Sequence, residues 1–166
     1  MFKLKLYGIL FLFALLSACG NGENKKAESE TADSLNVQKV TEKKNILVFG
    51  NSLTAGLGVE PDEAFPVLIG NKIDSLNLPY EVINAGLSGE TTAAGKERIN
   101  WLLKQKVDVF VLELGANDGL RGIPLTETRK NLQSIIDQVK ANYPDAKQIM
   151  TGMEVPPNMG SKYASE

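Results

Sequence analysis

From residue 45 onward the chain alternates between short apolar runs and segments whose apolar residues recur every three or four positions. The apolar runs predict β-strands at residues 46–49, 80–84, 107–114 and 148–152. The periodic segments predict helices at residues 64–76, 91–104 and 126–142. Strands that alternate with helices are typical of an α/β domain, in which right-handed crossovers produce a parallel, doubly wound sheet.

The first predicted strand passes directly into a polar turn. Gly50 ends the apolar run, Asn51 and Ser52 follow, and residues 53–55 can begin a helix. Ser52 is therefore expected at the carboxyl end of a buried strand, where open α/β sheets place their ligands. A serine at this position can act as a nucleophile, with unpaired backbone N–H groups available to a developing oxyanion. It can equally well cap the helix, and this stretch alone does not separate the two roles.

Two further loops follow predicted strands, and a parallel sheet brings both to the same edge. The loop after the second strand contains Gly89, and the loop after the third contains Asn117. A serine, a glycine N–H and an asparagine amide at one edge are suited to acyl transfer, which needs a nucleophile and donors to the tetrahedral oxyanion. Taken singly, Gly89 is typical of a turn and Asn117 of a loop or a cap. Three neighbours are expected to brace or cap the loops and helices: Ser88, Thr91 and Asp118.

Together the three loops resemble the conserved blocks of the SGNH (GDSL) hydrolases. The segments GNSLTAG, NAGLSGETTAAG and ELGANDGLRG are most similar to the arylesterase, acyl-CoA thioesterase and lysophospholipase branch, and the resemblance covers about residues 45–163. It implies a three-layer flavodoxin-like fold with parallel strand order 2-1-3-4-5. It also implies a serine esterase with Ser52 as the nucleophile, and with the Ser52 N–H, the Gly89 N–H and the Asn117 side chain as oxyanion donors. The implied substrate is a small-molecule ester or lipid, and neither a metal nor an organic cofactor is implied.

Two features depart from the family pattern. Asn51 replaces the aspartate that precedes the nucleophile, which leaves the bracing of the loop open but not the reaction. The closing block with its aspartate and histidine is missing, and the 166 residues contain no histidine at all. We therefore expect the last strand, the last helix and the catalytic acid and base to lie beyond Glu166. The 166 residues alone are expected to show almost no turnover.

The first residues have the pattern of a targeting segment. Lys3 and Lys5 precede an apolar run over residues 6–16, which is shorter than the ~20 residues that a transmembrane helix needs. The run leads into the sequence LSAC, which resembles a bacterial lipobox and implies cleavage before Cys19 and lipidation of its thiol. We therefore expect a signal peptide at residues 1–18, a flexible tether at 19–44 and the hydrolase domain at 45–166.

Composition and motifs leave few other classes of function open. The hydrophobic content of 43% fits a globular domain, and the net charge of −2 gives no reason to expect a nucleic-acid partner. The expected location is the bacterial cell envelope, facing the periplasm or the cell surface. Inside the family a carbohydrate acetylesterase is an alternative, and outside it a non-catalytic ligand-binding lipoprotein. A nucleotide-binding domain is disfavoured, because the chain lacks both the G-x-x-x-x-G-K-[ST] and G-x-G-x-x-G patterns.

Overall fold

The computed structural model describes residues 42–152, which form a parallel sheet with helices on both faces. The strands are β1 (Lys44–Gly50), β2 (Tyr80–Gly86), β3 (Val109–Glu113) and β4 (Lys147–Met150). Their order is β2-β1-β3-β4, and every neighbouring pair is parallel. This confirms the α/β class and the first four positions of the predicted order. The predicted fifth strand, the signal peptide, Cys19 and most of the tether lie outside the described residues.

The helices are α1 (Ser52–Ala55), α2 (Phe65–Ser75), α3 (Thr92–Leu102), α4 (Ala116–Leu120) and α5 (Leu125–Asn142), with a 3-10 turn at Pro61–Glu63. The three long helices follow the predicted segments closely, whereas α4 and the 3-10 turn were not predicted because they are too short to show a period. The predicted third strand was too long at both ends. Val107 and Leu114 are buried but lie outside the ladder, so burial extends further than strand pairing. No helix in the described part of the chain has the length and apolar character to cross a membrane.

The main core lies between one face of the sheet and the pair of helices α3 and α5. In the β1–β3 register Leu47 is aligned with Phe110 and Phe49 with Leu112, so all four side chains point to the same face. Each of them is at most 1% exposed. The rings of Phe49 and Phe110 lie 6.0 Å apart between centroids. The helices cover this face with a set of buried apolar residues, among them Ile99, Leu102, Ile135 and Val139.

Helix α2 covers the opposite face, beside β2. Val82 is aligned with Ile46, whose side chain points away from the main core, and Gly70 of α2 lies directly over Val82. The predicted apolar stripe of α2 is covered only in part: Ile73 is buried, but Leu68 and Ile69 are 52% and 40% exposed. Helices on both faces confirm the three-layer arrangement.

Strand β4 forms one edge of the described sheet. Ile149 and Met150 are about half exposed there, at 51% and 55%. A groove of about 400 Å³ runs between this strand and α5, lined by residues of both elements and the turn between them. Strand β2 forms the opposite edge of the described sheet, and α2 packs against that strand.

Candidate active site

The three candidate loops leave the same edge of the sheet. Gly50 at the end of β1 is aligned with Gly86 of β2 and with Glu113 of β3. Ser52 follows the first of these strands as the opening residue of α1, and Asn117 follows the third as the second residue of α4. The predicted shared edge is therefore confirmed, while the catalytic roles of the residues stay predictions. We call residues 50–56 the serine loop and residues 86–91 the glycine loop.

The structure of the serine loop shows which residue caps α1. Asn51 is the N-cap, because its Oδ1 accepts a hydrogen bond of 2.8 Å from the Leu53 N–H. Ser52 therefore does not cap the helix, and within residues 42–152 its hydroxyl has no hydrogen-bond partner. Since Ser52 is only partly buried, its hydroxyl remains accessible to a substrate. The structural alternative that the sequence left open for Ser52 is thus removed.

A buried carboxylate lies behind this loop. Glu113 is 6% exposed, and Asn51 and Thr54 are 1% and 0% exposed. The Glu113 Oε1 accepts a hydrogen bond from the Asn51 Nδ2 at 2.8 Å. Its Oε2 accepts from the Asn51 N–H at 3.2 Å and from the Thr54 hydroxyl at 2.8 Å. The bracing that the substitution at position 51 placed in doubt is therefore present, and the asparagine amide takes part in it.

The serine loop also packs against the end of β2. A Cβ atom at Gly86 would collide with the backbone of Thr54 and Ala55, so this glycine allows close approach of the two segments. The Asn84 Nδ2 donates to the Thr54 carbonyl at 2.9 Å, and the Leu87 N–H donates to the Gly50 carbonyl at 2.9 Å. These contacts fix the serine loop and the glycine loop relative to one another.

Gly89 lies at the exposed tip of the glycine loop. Its φ is +79°, a value that side chains disfavour, whereas an added Cβ would meet no atom closer than an Arg121 nitrogen at 3.8 Å. Backbone conformation rather than crowding therefore favours glycine here. Arg121 donates to the Gly89 carbonyl at 3.0 Å. The Gly89 N–H has no acceptor among residues 42–152, so it is available to an oxyanion.

Asn117 is held against the same loop. Its Nδ2 donates to the Glu90 carbonyl at 3.0 Å, and because an amide carries two N–H groups, the second can point elsewhere. The Glu90 carboxylate is buried and accepts two hydrogen bonds of 2.6 Å from Arg98. Arg98 also donates to the Ala85 carbonyl at 2.8 Å, and its guanidinium lies 4.4 Å above the centroid of the Phe49 ring. Glu90 therefore binds Asn117 through its backbone carbonyl and Arg98 through its side chain, so the ion pair helps to fix the carbonyl that orients Asn117.

Asp118 braces the loops, as expected, but the helix that it supports is α3. Its carboxylate is completely buried and accepts from the Thr92 N–H at 2.8 Å and from the Thr92 hydroxyl at 2.5 Å. Thr91 is the N-cap of that helix and accepts from the Ala94 N–H at 3.3 Å, which confirms its predicted role. Across residues 42–152 no group of three or more acidic or cysteine side chains is arranged to hold a metal ion.

Sequence reasoning missed four charged residues that support these loops: Glu90, Arg98, Glu113 and Arg121. A signal existed for one of them. Glu113 ends the otherwise apolar strand VFVLE, and a charge at the end of a central buried strand indicates a specific partner. The arginines gave no comparable signal, because single arginines on helices are usually solvated.

Comparisons with known proteins agree with this geometry. The model of the GDSL-like Lipase/Acylhydrolase family matches residues 48–165. The chain is 36% identical over 119 residues to Esterase TesA of Pseudomonas aeruginosa, covering 71% of this chain and 58% of the relative. It is 38% identical over 119 residues to Thioesterase 1/protease 1/lysophospholipase L1 of Escherichia coli, covering 71% of this chain and 55% of the relative.

A solved structure leads to the same conclusion. The crystal structure of AlinE4, described as an SGNH-hydrolase family esterase, superimposes with a TM-score of 0.70 at 38% identity, over 75% of this chain and 67% of that one. The chain spans little more than half the length of the two relatives named above. The shared sheet edge, the family match and relatives at this level of identity establish that the chain belongs to the GDSL-like lipase/acylhydrolase family.

Proposed function

We propose that this protein hydrolyses carboxylic esters or thioesters through an acyl-serine intermediate on Ser52. The observation that carries the proposal lies in the serine loop, where Asn51 caps the helix and the Ser52 hydroxyl has no hydrogen-bond partner among residues 42–152. The names of the relatives support it, since they describe an esterase and a thioesterase/lysophospholipase.

In the proposed reaction the Ser52 Oγ attacks the carbonyl carbon of the ester, and the carbonyl electron pair moves onto the oxygen. The oxyanion accepts hydrogen bonds from the N–H groups of Ser52 and Gly89 and from the Asn117 amide. Collapse of this intermediate breaks the bond to the alcohol or thiol, which takes up a proton as it leaves. Water then attacks the acyl-serine and releases the carboxylic acid.

The proton that leaves Ser52 needs an acceptor. Histidine most often fills this role in serine hydrolases, and the 166 residues contain none. We assign the acceptor to no residue of this chain. For that reason the activity experiments below use the protein expressed from its complete gene.

The surface near the site favours an apolar substrate. Four leucines on the loops and short helices of this edge are about half exposed or more: Leu53, Leu57, Leu87 and Leu120. Exposed apolar side chains around a reaction site suit an acyl chain better than a sugar. We therefore propose acyl esters of small or medium chain length, thioesters or lysophospholipids as substrates, ahead of carbohydrate acetyl esters.

The test is hydrolysis of an activated short-chain ester by the wild-type protein and by Ser52→Ala. We expect the variant to lose at least about 10³-fold in kcat, because the nucleophile of a serine hydrolase accounts for most of its rate. Ser75→Ala is the matched control, since Ser75 is an exposed serine of α2 that donates to the Lys72 carbonyl. Equal turnover by wild type and Ser52→Ala would contradict the proposal, and absence of turnover in the wild type would favour the non-catalytic alternative.

We also propose that the protein is attached to the bacterial cell envelope through a lipidated Cys19. The support is the order of Lys3, Lys5, the apolar run and LSAC at the N-terminus. In a bacterial host, Cys19→Ala is expected to remain unprocessed and to incorporate no labelled fatty acid. Incorporation at the wild-type level would show that the lipobox assignment is wrong.

A further inference from the structure

The sheet edge opposite the candidate active site has a surface of its own. The described strands start there and helices α2, α3 and α5 end there, so the connectors at residues 76–79, 103–108 and 143–146 lie on that edge. We call these connectors, the last turns of the three helices, residues 42–43 and the first two residues of each strand the basal surface. The chain enters the described domain on this surface, because β1 begins at Lys44.

Lysines are concentrated on the basal surface. Seven of the nine lysines in residues 42–152 lie on it, against five carboxylates, so the surface carries an excess of positive charge. Two of the seven are paired there, Lys43 with Asp74 at 3.3 Å and Lys106 with Asp108 at 3.6 Å. The other five are exposed and have no acidic partner among residues 42–152: Lys44, Lys72, Lys104, Lys140 and Lys147.

An exposed tryptophan lies on the same surface. Trp101, in the last turn of α3, is 67% exposed and is the single tryptophan of the 166 residues. It lines a shallow groove together with Lys104, and Leu76 and Leu78 are also exposed on this edge. An indole ring is amphipathic and favours the boundary between lipid headgroups and acyl chains, where lysines favour anionic headgroups. The combination fits a lipid surface better than an apolar protein partner.

The connector at residues 103–108 is held in place by three neighbouring segments. The Asn45 N–H donates to the Asp108 carboxylate at 2.9 Å, and the Lys147 N–H donates to the Asp108 carbonyl at 3.0 Å. The Tyr143 hydroxyl donates to a carbonyl of the connector at 2.7 Å. The basal surface therefore presents its charges on a fixed backbone, which limits the conformational entropy lost on docking.

The active-site edge carries charge of the opposite sign. Glu60, Asp62 and Glu63 are exposed before α2, and no lysine or arginine pairs with them in the described part of the chain. An anionic lipid surface would thus attract the basal surface and repel this edge. Because β1 has seven residues, the two edges are separated by about 23 Å.

We propose that the basal surface docks on the anionic phospholipid headgroups of a membrane, with Trp101 at headgroup level and the active site facing away. Charge complementarity selects this partner, and residues 19–41 join the domain on the same surface. Substrates then reach Ser52 from the aqueous side. The proposal is independent of the proposed esterase function, and a lipid anchor at Cys19 would only raise the local concentration of the domain at the membrane.

The experiment uses Trp101 as its own probe. The complete gene product is mixed with phosphatidylcholine vesicles that carry bromine on part of their acyl chains, with or without phosphatidylglycerol. Bromine quenches tryptophan at the membrane boundary, and subtracting the emission of Trp101→Phe leaves the signal of residue 101. We expect quenching that rises with the phosphatidylglycerol fraction and disappears in about 1 M salt, where the Debye length falls to about 3 Å. An anchor would bring the protein to both kinds of vesicle equally.

Two pairs of lysine substitutions test the surface with the same change in charge. Lys104→Gln/Lys147→Gln is expected to weaken docking about 25-fold, since each lysine near an anionic surface contributes about five-fold. Lys96→Gln/Lys130→Gln is the matched control, because both residues lie in the first halves of their helices, away from the basal surface. Screening by salt should limit its effect to less than about three-fold.

A probe on the other edge tests the orientation. Leu57→Trp, made together with Trp101→Phe, places an indole at a position that is likewise 67% exposed, and it should not be quenched. Stronger quenching there than at Trp101, quenching of Trp101 that ignores phosphatidylglycerol, or equal losses from the two lysine pairs would overturn the proposal. Mass spectrometry of the same sample shows whether Cys19 is acylated, and Ser52-dependent hydrolysis is measured separately. Failure of the anchor or of the esterase function is therefore distinguishable from failure of docking.

Discussion

The serine loop and the glycine loop lie side by side at one sheet edge, but they are held in opposite ways. The serine loop is tied from behind by the buried carboxylate of Glu113, which accepts from uncharged donors. The glycine loop is tied by cations, with Arg98 on the Glu90 carboxylate and Arg121 on the Gly89 carbonyl. The group expected to form a covalent bond is thus set by a network that contains no cation among residues 42–152, and two of the three groups expected to stabilise charge, the Gly89 N–H and the Asn117 amide, are set by arginines.

This difference matters because the two kinds of support respond to different perturbations. The Arg98 side chain is 24% exposed and that of Glu90 is 1% exposed, so their ion pair is desolvated on one side and reaches solvent on the other. Bidentate geometry, the bond to the Ala85 carbonyl and the Phe49 ring offset part of the cost of burying the pair. The serine loop is expected to depend on exact hydrogen-bond complementarity and the glycine loop on retaining its charge.

The largest expected effect comes from removing that charge. Arg98→Met keeps most of the apolar stem but leaves the buried Glu90 carboxylate without its partner, and such a loss costs about 3–5 kcal/mol. We expect a decrease of this order in the free energy of unfolding, measured by urea denaturation of the complete gene product. The Glu113 network should stay intact in this variant, because it shares no hydrogen bond with Arg98.

The matched control is Lys43→Met, which breaks an ion pair of 3.3 Å between Lys43 and Asp74. Those side chains are 52% and 68% exposed, and exposed pairs contribute between nothing and about 1 kcal/mol. If Arg98→Met cost no more than Lys43→Met, the description of the glycine loop as clamped by charge would be wrong.

The features that the sequence predicted are those that depend on pattern and chain order. A parallel sheet sends successive strand ends to one edge, so the common location of Ser52, Gly89 and Asn117 followed once the strands were recognised. The buried faces of α3 and α5 followed from helical period in the same way, with Ile99 and Ile135 completely buried.

The remaining features depend on three-dimensional register. Asn51 and Glu113 are 62 positions apart, and nothing local to either residue indicates that an amide will meet a carboxylate. The stripe on α2 shows the limit of periodicity in another way. The helical period predicts which face of α2 is apolar, but not how much of that face the neighbouring elements cover. Leu68 lies on the predicted apolar face and is nevertheless 52% exposed.

The second expected effect concerns Asn117, which contacts the glycine loop and is proposed to donate to the oxyanion. We expect Asn117→Ala to lower kcat about 10²- to 10³-fold, the usual effect of removing one oxyanion donor. The variant also loses the bond to the Glu90 carbonyl, which is worth about 1 kcal/mol in the free energy of unfolding. Asn142→Ala is the control, because the Asn142 amide likewise donates to a backbone carbonyl, that of Gln138, but on the exposed side of α5.

Combining Asn117→Ala with Glu113→Gln tests the comparison of the two loops directly. Their side chains share no hydrogen-bond partner, since Asn117 binds the Glu90 carbonyl and Glu113 binds the serine loop. If the loops are held independently, the fold-losses in kcat multiply to within the usual error of about 0.5 kcal/mol. A double variant much less impaired than that product would mean that the two residues act on one step as a unit. Separate support for the nucleophile and for the oxyanion donors would then have to be abandoned.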